Sequence, residues 1–101
     1  MNSIVKAKIK WLSVEEGGRP KPPLGPTYST VACFEDIKDK WPDEAWSLVT
    51  EFHGLPDKSG YIVVNLRFLV EENAPLYLLY PGSRFKLFEG HKLVALGEIL
   101  K

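Results

Sequence analysis

Cys33, His53 and His91 are the only thiol and imidazole groups in the chain, so a search for chemistry begins with them. A Cys-His nucleophile needs the two groups in hydrogen-bond reach, with a third group orienting the base. Cys33 stands between Ala32 and Phe34, a β-rich apolar setting that predicts a buried structural thiol. A zinc site normally takes four ligands at recognisable spacings, and three scattered candidates do not supply one. The adjacent carboxylates Glu15-Glu16, Glu35-Asp36 and Glu71-Glu72 would point to opposite faces of any strand they occupied. They read as solvated groups. No catalytic group, metal or cofactor is expected, and an enzyme is not.

Binding chemistry has more material. Trp11, Trp41 and Trp46, with Tyr28, Tyr61, Tyr77 and Tyr80, could stack on bases, although aromatics in a small β domain usually serve its core. Trp41, beside Pro42 in a polar stretch, reads either as an exposed anchor for a protein partner or as a cap over one end of the fold. Arg19, Lys21, Arg84, Lys86 and Lys92 are candidate contacts for a polyanion backbone, provided they share a surface. Thirteen basic and thirteen acidic side chains cancel, so no global field attracts nucleic acid or anionic membrane. Any polyanion site must be a local patch.

The elements that would position these groups follow a period of two. From Ile4 to Leu12, Lys6, Lys8 and Lys10 alternate with Val5, Ala7, Ile9 and Trp11, as in a half-buried strand with its lysines outward. Such a ladder is a common way to blunt an exposed sheet edge, the favoured reading, with a track for phosphates as the alternative. The stretch EEGGRPKPPLGP then allows positive φ at its glycines and removes backbone donors at four prolines, so a long shaped loop is expected. Tyr28 to Glu35 is rich in β-branched and aromatic residues and reads as a second strand. The stretch DIKDKWPDEA is turn-like. Trp46 to Phe52 aligns Trp46, Leu48, Thr50 and Phe52 on one face, while Pro42 and Asp-Glu leave a short helix from Pro42 to Val49 open. Tyr61 to Val70 is the strongest strand, setting Ile62, Val64, Leu66 and Phe68 opposite Tyr61, Val63, Asn65 and Arg67. Short strands follow in APLYLLYPG, in SRFKLFE and in KLVALGEILK, the last with Leu93, Ala95 and Gly97 on one face. About seven short strands separated by turn chemistry predict an antiparallel sandwich or barrel.

The chain has 101 residues, 45% hydrophobic and 26% charged, which suits one globular domain spanning residues 1–101. Its start lacks the apolar core of a signal peptide, and no apolar run approaches the roughly 20 residues needed to span a bilayer. A lone cysteine forms no internal disulfide. A cytoplasmic protein without membrane association is expected.

Two short stretches then stand out together. Val14-Glu15-Glu16-Gly17-Gly18-Arg19 follows the first strand, and Gly82-Ser83-Arg84-Phe85 precedes Glu89-Gly90-His91-Lys92, Val94 and Gly97. Their order and separation resemble the C-terminal, third β-barrel domain of elongation factor Tu, over nearly the whole chain from about Val5 to Lys101. The resemblance implies a small antiparallel Greek-key β-barrel of six or seven strands, without catalysis. In that family the domain packs against its GTPase domain and a neighbouring barrel, and touches the backbone of the tRNA T-stem through basic residues. Here Lys92 keeps the charge of the family's Arg. Phe88 stands where the family has a basic residue and His91 where it has Gly, while Leu24 to Thr30 keeps Gly25 without an Arg. Nothing resembles the phosphate-cradling loop of a GTPase, so no GTP binding is expected.

Two functions remain open. A stand-alone protein-binding module, the favoured reading, would use Glu15, Glu16 and Arg19, Trp41, and His91 with Lys92. Weak RNA-backbone binding would use Arg19, Lys21, Arg84, Lys86 and Lys92. The alternative reading of the two Glu-Gly stretches is that they only shape barrel corners.

Overall fold

The computed structural model describes residues 4–18, 26–41 and 43–100. Six antiparallel strands account for the sheet: β1 (Val5–Trp11), β2 (Thr27–Phe34), β3 (Trp46–Glu51), β4 (Tyr61–Phe68), β5 (Arg84–Glu89) and β6 (Lys92–Ile99). They close into a barrel in the order β1-β4-β3-β2-β5-β6, with β6 returning to β1. Strands β2, β3 and β4 form a meander, and the long connection after β4 carries the chain back to lay β5 beside β2. That is Greek-key connectivity, so the expected all-β barrel is observed, with six strands.

Alternation decides which side chains fill it. Ala7, Ile9 and Trp11 of β1, Leu48 and Thr50 of β3, Val64, Leu66 and Phe68 of β4, and Phe85 and Leu87 of β5 all point inward and are buried. Thr50 is the polar member of this set, and its hydroxyl donates to the Tyr28 carbonyl at 3.1 Å, which removes the cost of an unpaired buried hydroxyl. Phe34 lies between Phe68 and Phe85, with ring centroids 6.0 and 5.5 Å away. This aromatic group packs one half of the barrel, and Trp11 edge-on to Tyr28 at 5.5 Å packs the other.

Three local expectations change, and one alternative left open is settled. Ala74 to Pro81 is no strand but contains a single 3-10 turn at Leu76–Leu78. Pro75 and Pro81 supply no ladder donors, Asn73 turns the chain at φ 64°, and the buried Leu78 plugs the barrel end. Trp46–Glu51 is a strand rather than part of a helix, because its alternating apolar residues face the core; Pro42 lies outside the described residues. Leu93 is only half-buried, since a bulge opposite Leu87 and Phe88 shifts the phase of β6 and puts Val94 into the core beside Ala95. Finally, β1 is not a sheet edge. It pairs with β4 on one side and β6 on the other, so its lysines do not blunt an edge.

Gly97 marks a point of close packing within the strands of the barrel. A Cβ there would lie 2.2 Å from Cζ of Phe85, whose ring is buried and has nowhere to retreat. We expect Gly97→Ala to destabilise by about 1–3 kcal/mol in denaturant unfolding. Phe85→Leu in the same chain should recover part of that loss, and an unchanged midpoint for Gly97→Ala would contradict this account of the core.

Candidate functional site

The two Glu-Gly stretches lie at the same end of the barrel. The first follows β1 directly. Ser13 caps a 3-10 turn at Val14–Glu16, and Ser13 and Glu16 bond reciprocally to each other's backbone N–H in a capping box. Gly17 closes the turn at φ 87°, and Gly18 donates to the Ser13 carbonyl at 2.7 Å. A Cβ on Gly18 would lie 2.1 Å from the Leu12 carbonyl oxygen, so only glycine fits this crossing. The second stretch is a two-residue hairpin in which Glu89 pairs with Lys92 across Gly90 and His91. Gly90 takes φ 64°, the arrangement of a type II′ turn with Gly first. Tyr28 donates its hydroxyl to Glu89.

Glu16 does more than cap. Its carboxylate accepts from Lys10 Nζ at 3.0 Å, tying the corner back onto the outer face of β1. The Ser13 N–H first, and then the Lys10 ammonium, hold the Glu16 carboxyl below its ordinary value, and the same pair raises Lys10.

The outer faces of β5, β6, β1 and β4 gather the cations. Register places Arg84 beside Glu98, Glu98 beside Lys8, and Lys8 beside Val63. One row along, Lys86 flanks Leu96, Leu96 flanks Lys10, and Lys10 flanks Tyr61. Lys6 extends the same face next to Asn65, which accepts from Lys6 Nζ at 3.4 Å. Lys8 and Lys10 hold their ammonium groups 4.5 and 5.8 Å from the centre of the Tyr61 ring, within range of cation–π attraction. The outcome is a face that brings Lys6, Lys8, Lys10, Arg84 and Lys86 around Glu98, with Lys10 also paired to Glu16 and with Tyr61, Val63 and Leu96 exposed between them. Glu98 reaches Arg84 only at 3.9 Å. A depression of about 370 Å³ runs across the face, lined by Lys8, Lys10, Tyr61, Arg84, Leu96 and Glu98.

The residues singled out from the sequence divide among three places. Glu15, Glu16, His91 and Lys92 share the end formed by the two turns. Arg84 lies at the far end of the β5–β6 hairpin from Lys92, beside Lys86, on the cationic face. Trp41 is half-buried and stacks on Phe88, centroids 4.8 Å apart and rings 28° from parallel, outside the barrel. Arg19 and Lys21 lie outside the described residues. Lys8, Lys10, Tyr61, Leu96 and Glu98 were not singled out as site residues. The lysine ladder is visible in the sequence, but a reading as edge protection leaves its partners β4 and β6, and β5 beyond β6, unidentified.

Cys33 faces outward between β3 and β5 and is half-buried, in contrast to the buried thiol expected, because Ala32 and Phe34 take the inward positions. It lines a smaller depression with Glu35, Lys38, Arg84 and Lys86. Burial nonetheless pushes its thiol above the ordinary value, against the opposing pull of Lys86 and Lys38. Among the described residues no group of three or more His, Cys, Asp or Glu is placed to hold a metal, and no helix is long and apolar enough to cross a membrane. The chain matches no protein-family model and no curated protein sequence.

Two titrations test these assignments. The Glu16 contribution to stability should be present above the usual carboxylate range and fade as pH falls through its lowered folded value. Wild type should therefore exceed Glu16→Gln in stability at neutral pH and converge with it in acid; a constant difference would remove the carboxylate from the corner. Alkylation of Cys33 should be slow at neutral pH and accelerate only above the ordinary thiol range, because the thiolate is the reacting form. Fast alkylation at neutral pH would contradict the raised value.

Proposed function

We propose that this barrel is a non-catalytic binding module, built like the third domain of elongation factor Tu, whose cationic sheet face docks a protein partner carrying acidic groups. The observation that supports this reading is the juxtaposition of Lys6, Lys8, Lys10, Arg84 and Lys86 with exposed Tyr61, Val63 and Leu96 on one face. An apolar centre ringed by like charges suits a partner of matching shape and opposite sign. The closed sheet has no unpaired edge, so the partner is recognised through side chains and not by adding a strand. Tyr61 is a fitting anchor, because tyrosine combines large contact area with few rotatable bonds. The turns at Glu15 to Gly18 and at His91-Lys92 form the rim of one end, where Lys92 adds a sixth cation beyond the face itself.

The same face favours one second reading, weak binding to an RNA backbone. Phosphates would be met by Arg84, Lys86 and the three lysines of β1, with Lys92 at the hairpin end. Flat readout of bases is not supported, since Trp11 is buried and Trp41 is stacked on Phe88. Such binding would be electrostatic and sequence-independent.

Capture from a cytosolic extract by immobilised protein separates the readings, with Lys8→Glu/Lys86→Glu as the control chain. A protein captured by wild type, retained at moderate salt and lost from the reversed chain is the expected result. RNA captured at about 0.05 M salt and lost steeply by about 0.2 M would favour the second reading instead. Equal capture by both chains would exclude the cationic face from either role.

A further inference from the structure

The barrel's charge is balanced overall, yet its acids gather in the connections at one end, where Glu35 borders Arg84 and Lys86 of the cationic face across a shared depression. Opposite the turn-bearing end, the connections after β2 and after β4 meet, joined by a hydrogen bond from the Tyr80 hydroxyl to Asp36. That bond with Asp36 raises the Tyr80 phenol above its ordinary value, so it persists throughout the physiological range. These connections carry Glu35, Asp36, Asp39, Asp43, Glu44, Glu71 and Glu72 against only Lys38 and Lys40. Lys40 is itself paired with Glu44 at 3.7 Å. Leu69, Val70, Leu76 and Tyr77 are exposed on the same end, Val70 at 62% and Tyr77 at 69%. Apolar side chains of this size, left in water beside a block of carboxylates, form the complement of the sheet face, where Tyr61, Val63 and Leu96 lie among five cations.

We infer that the acidic end of one molecule docks on the cationic sheet face of a second copy of this chain. The inference rests on the docking reading of that face and names its occupant. Charge complementarity guides the approach: acids such as Asp39 and Glu72 meet Lys8, Arg84 and Lys86, while Leu69, Val70 and Tyr77 cover Tyr61, Val63 and Leu96. A net charge of zero leaves no global repulsion to oppose the approach. The two patches differ, so a single contact joins unlike surfaces and propagates along a row of molecules, whereas two reciprocal contacts close a two-fold dimer. Exposed charges at both surfaces make the contact sensitive to salt.

Sedimentation velocity on the full chain, over a concentration series, tests the inference. At about 0.02 M salt the average sedimentation coefficient should rise with concentration, and at about 0.5 M salt the rise should vanish. Lys8→Glu/Lys86→Glu and Asp39→Lys/Glu72→Lys alter exposed positions, and each alone should weaken association at least about tenfold. An equimolar mixture of the two reversed chains should associate again, because the reversed end of one then matches the reversed face of the other. A wild-type chain that stays monomeric at low salt overturns the inference, as does association that neither reversal weakens. A monomeric chain that still captures another protein through Lys8 and Lys86 overturns only the identity of the occupant, and leaves the docking face standing. A monomeric chain that captures nothing removes both.

Discussion

Five residue pairs between β1 and β6, from Ala7 with Ile99 to Trp11 with Ala95, turn an open sheet into a barrel, and everything else depends on them. They give β1 partners on both sides, which satisfies backbone groups that would otherwise face water or another chain. They enclose Ile9, Leu66 and Leu87 completely. They also carry the lysines of β1 into the neighbourhood of β5, two strands away, and so create the cationic face. Gly97 sits within this pairing, opposite Ile9, and gives up its own side chain to the ring of Phe85. Closure and core packing are thus settled at one place.

The turn-bearing end shows how local sequence supports that closure. The Trp11 N–H donates to the Gly60 carbonyl and the Leu12 N–H to the Val94 carbonyl, both at 2.9 Å. The chain then has to reverse at once, and Ser13, Glu16, Gly17 and Gly18 accomplish it with a capping box and a left-handed residue. In these terms the Glu-Gly motif is corner chemistry. It leaves Glu15 exposed, whereas Glu16 is committed to Ser13 and Lys10. The second motif is likewise a turn, with Gly90 at its first position.

What the sequence made legible was whatever has a period of two. The inward faces of β1, β3 and β4 could be read from single positions such as Ile9, Leu48 and Leu66, because alternation in a strand is a local property. Three features resisted for physical reasons. The bulge that brings Val94 inward depends on the fit to β5, not on the residues of β6 alone. The 3-10 turn at Leu76–Leu78 has a β-like composition, and the cost of opening the barrel end overrides that preference. The cationic face needs residues from β1 and β5, about 75 positions apart in the chain, and only the strand order brings them together. Cys33 follows the same logic: its neighbours suggested burial, yet one step of alternation turned it outward.

Closure also bears on how the barrel comes to exist. Strand β1 finds its first partner in β4, more than fifty residues downstream, and its second in β6, nearly ninety residues away. Pairings so distant in the chain are slow to form, because a large loop must be restrained before any contact rewards it. During synthesis β1 emerges first, with Lys6, Lys8 and Lys10 on one side and Ala7, Ile9 and Trp11 on the other, and its second edge stays unpaired until Lys92–Ile99 has been made. In that interval the three ammonium groups are a means of keeping the nascent strand apart from its like, a service that ends once the sheet has closed and β1 is paired on both sides.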